Sequence, residues 1–180
     1  MQQGGFVAAD ERPESAEWAF LRLTDREMDR CYSLAGYLLG DGAEAQDATQ
    51  EAMARAWKAR RTLRDPQAFE GWLDRIVVNA CMDRMRRRRV VKFVEMEAGH
   101  EVPAADPFRS LLSKDEVGRL LDVLTPEQRV VVVLRFWRDL PVDEIAERLG
   151  CPAGTVKSRL HAAMAALRTL MDRDAEGVRR

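Results

Sequence analysis

From Val142 to Leu170 the chain reads VDEIAERLGCPAGTVKSRLHAAMAALRTL, and this stretch decides the fold. Val142, Ile145, Ala146 and Leu149 recur at three- and four-residue intervals, the period of a helix that buries one face. Gly150 follows at once, and glycine most readily takes the left-handed conformation that closes a helix. Pro152 suits the opening of a second helix, where its missing amide hydrogen would have no partner anyway. The apolar seam of that helix is Val156, Leu160, Ala163, Leu167 and Leu170. Two helices joined by a short glycine turn form a helix-turn-helix, whose second helix can enter the DNA major groove. An ordinary helical hairpin has the same spacing, so periodicity alone leaves both open. Opposite the seam, at about 100° per residue, lie Gly154, Ser158, His161, Ala162 and Ala165, flanked by Thr155 and Lys157. Short side chains there allow close approach, and Lys157 supplies a donor for a guanine edge or a phosphate. Arg159 lies nearer the seam, placed for a phosphate or an intramolecular partner.

Working outward, Thr125-Pro126-Glu127-Gln128 stops one helix and caps the next, which carries Val130, Val131, Leu134 and Trp137. VVVLRF reads as a strand in isolation, but the cap before it favours helix. A preceding helix starts at Ser113, with Glu116 completing a capping box and Val117, Leu120, Leu121 and Leu124 on one side. Between Val90 and Leu112 periodicity dissolves around Gly99, Pro103 and Pro107, the composition of a linker. Farther upstream, Phe69, Trp72, Leu73, Ile76, Val77 and Ala80 give the cleanest amphipathic stripe, started by Asp65-Pro66 and continuing into an arginine run. A helix from about 43 to 60 has a small face of Ala45, Ala48, Ala52 and Ala56, and Gly40-Asp41-Gly42 separates it from a first helix. That first helix carries Met28, Cys31, Tyr32, Ala35, Leu38 and Leu39, with Thr24 and Glu27 in capping-box spacing. The expected fold class is all-α: two small helical domains, 21–90 and 113–173, joined by an acidic linker at 91–112. An N-terminal extension at 1–20 and a tail at 174–180 flank them.

The 180 residues are 46% hydrophobic, enough for compact cores, and their 29 basic and 30 acidic side chains leave a net charge of −1. That total argues against a nucleic-acid binder, but it conceals segregation. Arg84 to Lys92 holds six bases and no acid; Phe93 to Glu127 holds eight acids against three bases. Asp41 to Glu51 has four acids and no base, and Pro152 to Arg173 four bases against one acid. Patches of opposite sign imply at least two charged partners. No apolar run reaches the roughly 18–20 residues of a membrane span, and the first 15 residues lack a signal-peptide pattern. The chain reads as cytoplasmic, without membrane insertion. Cys31, Cys81 and Cys151 have neither disulfide-framework nor zinc spacing, and His100 and His161 have no catalytic partners in the pattern. There is no phosphate-binding glycine loop. No cofactor, metal or catalytic activity is expected.

Asp47, Gln50 and Glu51 share one helical neighbourhood, an acidic face that suits a basic protein surface or simply water. The following stretch, Ala59-Arg60-Arg61-Thr62-Leu63-Arg64, reads as a basic loop with the apolar and polar groups that an extruded base requires. The next helix presents Asn79 and Asp83 before Arg86 to Arg89, where an arginine run continuing an amphipathic helix favours phosphate contact. Trp72 fits a core position better than a stacking platform.

Three stretches in order carry a resemblance: AEAQDATQEAMARAWKA at 43–59, FEGWLDRIVVNACMDRMRRRR at 69–89, and the segment from Leu124 through GTVKSRL to Leu170. The chain resembles the group IV, extracytoplasmic-function sigma factors of bacterial RNA polymerase over about residues 21–171. The resemblance implies a dissociable initiation factor whose acidic helix, here Asp47, Gln50 and Glu51, docks on the β′ clamp helices. It implies recognition and melting of the −10 element, with a base pocket at Ala59, Arg60, Leu63 and Asn79 and with Arg86 and Arg87 near the backbone. The −35 element would be read through Thr155, Lys157, Ser158, Arg159 and His161. Further implied partners are the β flap and an anti-sigma factor, and the acidic linker would thread toward the RNA-exit path. Many relatives carry an arginine where this chain has Ala162, so one −35 contact is missing and promoter preference does not transfer. A stand-alone dimeric helix-turn-helix regulator is the alternative.

Overall fold

Helices dictate every layer of this structure. The computed structural model describes residues 16–97 and 116–177, and among them every regular element is helical. In the N-terminal half α1 is Ala16–Leu39, α2 Gly42–Ala59 and α3 Phe69–Glu97, with single 3-10 turns at Arg60–Thr62 and Pro66–Ala68. In the C-terminal half α4 is Glu116–Asp122, and α5, Pro126–Val132, runs on into a π-helical turn at Val133–Trp137. The helix-turn-helix is α6, Val142–Leu149, and α7, Ala153–Gly177.

The alanine face of α2 explains the first bundle. Ala45, Ala48, Ala52 and Ala56 are fully buried, so α2 settles closely against Cys31, Leu34, Ala35 and Leu38 of α1 and Leu73, Val77, Ala80 and Cys81 of α3. Burying each leucine or valine contributes about 1.5–3 kcal/mol. Burial also pushes the Cys31 and Cys81 thiols up to about 12, so both remain protonated packing groups. Gly40, at φ +66, ends α1, and Asp41 then caps α2 by accepting from the Glu44 amide at 2.8 Å. Two arginines bind the last carbonyls of α1: Arg88 donates to Leu39 and Arg129 to Leu38. The second bundle buries Val130, Val131, Leu134, Ile145, Val156 and Ala163. Both bundles belong to one continuous core, because α3 packs on α5 and α6, and the Tyr37 and Trp137 rings meet at 5.1 Å.

Several boundaries differ from the sequence expectation, each for a physical reason. Thr24 does not cap a helix: it lies inside α1, its hydroxyl donating to the Phe20 carbonyl at 2.7 Å. The extension expected at 1–20 is helical from Ala16, anchored by buried Phe20 against Trp57, Phe69 and Trp72 at 5.7–6.2 Å between ring centroids. The linker expected at 91–112 begins later, since past Val90 α3 continues to Glu97 and meets neither glycine nor proline before Gly99. Residues 98–112 and the Ser113 cap lie outside the described residues. At the C-terminus α7 carries on through Gly177 into the expected tail. The Thr125–Gln128 capping box is present in both directions, and VVVLRF is helical, ending in the π turn. Among the described residues no helix is long and apolar enough to cross a membrane.

Candidate nucleic-acid interface

Gly150 sets the turn of the helix-turn-helix. It adopts φ +61, and the amides of Gly150 and Cys151 donate to the carbonyls of Glu147 and Ala146 at 3.1 and 3.0 Å. This paired arrangement satisfies the orphan carbonyls at the end of α6. The Pro152 carbonyl then accepts from Thr155 at 2.9 Å, starting α7 in a new direction. Val156 and Ala163, both fully buried, seat α7 on the core. The opposite face is open: Lys157, Ser158, His161, Ala162 and Ala165 are exposed, and Thr155 is half-buried. Ser158 also donates to the Thr155 carbonyl at 3.0 Å, which orients its hydroxyl. Arg159 is half-buried and faces inward, lining a cavity of about 460 Å³ with Asn79, Met82, Asp83, Arg86 and Glu127. Of the five residues assigned to the −35 element, Lys157, Ser158 and His161 are the freely presented ones.

The second set gathers at the α2–α3 connection. The Arg60 guanidinium stacks on the Trp57 ring at 4.0 Å, donates to the Trp57 carbonyl and pairs with Glu17 at 2.9 Å. Ala59 and Leu63 beside it are half-buried, so the turn presents an apolar floor edged by an oriented cation. Asn79 is exposed about three turns into α3, on the cavity shared with Arg159. Farther along α3, Arg87 is exposed and Arg86, also exposed, pairs with Glu127 at 3.2 Å.

On α2, Asp47 and Gln50 are exposed. Glu51 is not a free surface carboxylate: it accepts from Arg55 at 2.5 Å and from Arg84 of α3 at 3.0 Å, and Arg55 also reaches Asp83 at 3.4 Å. Charge at Glu51 therefore ties α2 to α3, a role that spacing along one helix does not reveal. Sequence reasoning also missed Asp74, which lies among Trp72, Leu73, Ile76 and Val77 and is wholly buried. A carboxylate inside an apolar stripe is the signal that marks it, because a buried charge requires partners.

Comparisons with known proteins fit this geometry. Sigma-70 region 2 matches residues 23–90, and Sigma-70 region 4 matches residues 114–167. The RNA polymerase sigma-E factor of Streptomyces coelicolor is 36% identical over 150 residues, covering 83% of this chain and 84% of its own length. The ECF RNA polymerase sigma factor SigE of Mycolicibacterium smegmatis is 34% identical over 169 residues, covering 91% of this chain; the match spans 65% of that longer protein. Among solved structures, the sigma factor RpoE in complex with the anti-sigma factor NepR from Bartonella quintana shares the fold. Its TM-score is 0.65 at 22% identity, over 86% of this chain and 97% of that one.

Proposed function

Because this chain belongs to the extracytoplasmic-function sigma factors, and is thus an initiation factor directing RNA polymerase to promoters rather than an enzyme, we propose how its surfaces divide that task. The exposed face of α7 reads the −35 element: Lys157 and His161 reach base edges or phosphates, Ser158 and Thr155 add short donors, and Ala162 leaves one position unread. Arg159 contributes to the −35 contact only after it leaves the cavity that it now lines. The −10 element is read at the α2–α3 turn, where Ala59, Arg60 and Leu63 offer a platform for an extruded base. Asn79 contacts the base edge, and Arg86 and Arg87 hold the backbone. Asp47 and Gln50 dock on the β′ clamp helices, with Glu51 fixing the helix that presents them.

Between the halves runs a groove of about 350 Å³, with Tyr37 of α1 on one side and Val117, Leu121, Val133, Phe136 and Trp137 of the C-terminal half in its other walls. Phe136 is 63% exposed there, and such a groove suits an amphipathic partner helix, as the β flap or an anti-sigma factor would supply. Cytoplasmic location follows from work on the polymerase.

The observation that carries this reading is the seating of α7 by Val156 and Ala163, which turns the side chains at 157, 158 and 161 outward together. Run-off transcription with purified core polymerase tests it. Promoter-specific transcripts are expected only when this chain is added. Specific binding of a dimer to a palindrome without polymerase would establish the stand-alone regulator instead.

A further inference from the structure

Two carboxylates on α3 gather three arginines from both halves of the chain. Wholly buried Asp74 accepts from Arg30 of α1 and from Arg148 at the end of α6. Arg138, immediately after the π turn, bonds Glu70 and lies 3.5 Å from Asp74. Arg30 lies 3.8 Å from Glu70 and also bonds Glu27. The side chains of Arg138 and Arg148 are each only 14% exposed, so these are shielded pairs rather than loose surface contacts. Burial pushes the Glu70 carboxyl up, but the Arg138 hydrogen bond and the charges of Arg30, Arg138 and Arg148 outweigh it and hold Glu70 below the ordinary carboxylate range.

At the same place each half brings an arginine side chain up against a glycine of the other. A Cβ on Gly71 would lie 3.5 Å from Arg148 Nε, and one on Gly150 would lie 3.1 Å from Arg75 Nη2. Within the N-terminal half Arg30 alone already opposes Asp74. The charges added by Arg138 and Arg148 serve the contact between halves.

This contact has a geometric consequence. Asn79 and Arg86 of one DNA-reading surface and Arg159 of the other line a single cavity. Elements named for positions −10 and −35 are some 25 base pairs apart, roughly 80 Å of duplex at about 3.4 Å per pair. The closed arrangement cannot occupy both.

We infer that Glu70, Asp74, Arg138 and Arg148 form a charge latch that closes the two DNA-reading halves on each other, so that the free chain must open before it can occupy a promoter. The inhibitory consequence rests on the promoter reading above; the latch itself does not.

The test uses the full chain and two readouts. Small-angle scattering reports opening without polymerase, and run-off transcription gives the concentration of factor that half-saturates core polymerase. Arg148→Glu places a carboxylate against Asp74 while leaving the Arg30–Asp74 pair intact. It is expected to raise the radius of gyration by roughly 1.3-fold, from one compact body toward two separated ones. It should also lower the half-saturating concentration by about threefold or more, as the opening step is removed. Arg138→Gln should shift both readouts in the same direction by less, and Arg148→Lys, which keeps the charge, should stay compact. Circular dichroism checks that helicity is retained. An unchanged radius of gyration in both Arg148→Glu and Arg138→Gln overturns the latch, and expansion without a lower half-saturating concentration overturns its inhibitory role. If no chain, wild type included, supports promoter-specific transcription, the promoter reading fails while scattering still reports whether the latch opens.

Discussion

The outer face of α7 and the inner face of α3 handle charge in opposite ways. On α7, Lys157 stands in solvent beside exposed His161, and its charge costs little to hold there and is available to a partner. On α3, Asp74 is sealed among Arg30, Arg138 and Arg148, where charge survives only because each group is compensated. The same residue types thus build a recognition surface in one place and an internal fastening in the other. Exposure, more than sequence composition, separates the two uses.

Removing one polar side chain from each face is the sharpest way to break the comparison. Asp74→Ala leaves the arginines around it uncompensated and is expected to destabilise the fold by about 3–5 kcal/mol. His161→Ala, on the open face, should stay within about 0.5 kcal/mol of wild type. Equilibrium denaturant unfolding measures both, and equal effects would mean that the Asp74 cluster is not the shielded site described above.

A smaller effect separates neighbours on α2. Glu51→Lys should cost about 1 kcal/mol of stability because it reverses the carboxylate held by Arg55 and Arg84. Asp47→Lys should leave stability unchanged and weaken the association with core polymerase. Fluorescence titration of labelled factor against core polymerase, set beside thermal unfolding, distinguishes them. Loss of stability in Asp47→Lys with normal association would reverse the roles assigned here.

The smallest expected effect is at Lys157. Lys157→Ala should leave folding untouched and lower the salt dependence of promoter binding by about 0.9 in logarithmic slope if one phosphate contact is lost. Holoenzyme binding measured over a range of salt reads this slope directly. An unchanged slope together with unchanged affinity places Lys157 outside the DNA contact.

Much of this was legible in the sequence because it depends on local rules. The apolar intervals of α6 and α7, Gly150 between them and the Thr125–Gln128 capping box all act within a few residues. The family resemblance likewise rests on contiguous motifs. What escaped involves partners far apart in the chain. Thr24 and Glu27 have the spacing of a cap, yet Phe20 finds an aromatic cluster formed by residues 57, 69 and 72, and this carries α1 back to Ala16. Glu51 looked exposed on its own helix because Arg84 comes from another. Arg138 and Arg148 could not be matched to Glu70 and Asp74 by any interval along the chain, since their pairing depends on how α6 meets α3. The net charge of −1 misled for the same reason: it sums docking, reading and fastening charges that the fold keeps apart.

The central claim, that one chain reads two separated promoter elements as a polymerase subunit, is tested most directly by site-specific photocrosslinking in the assembled holoenzyme–promoter complex. A photoreactive residue at position 161 should label DNA at the −35 element, and one at position 79 should label the −10 element, roughly 25 base pairs away. Labelling of a single site by both positions, or efficient labelling of paired half-sites without polymerase, would contradict it.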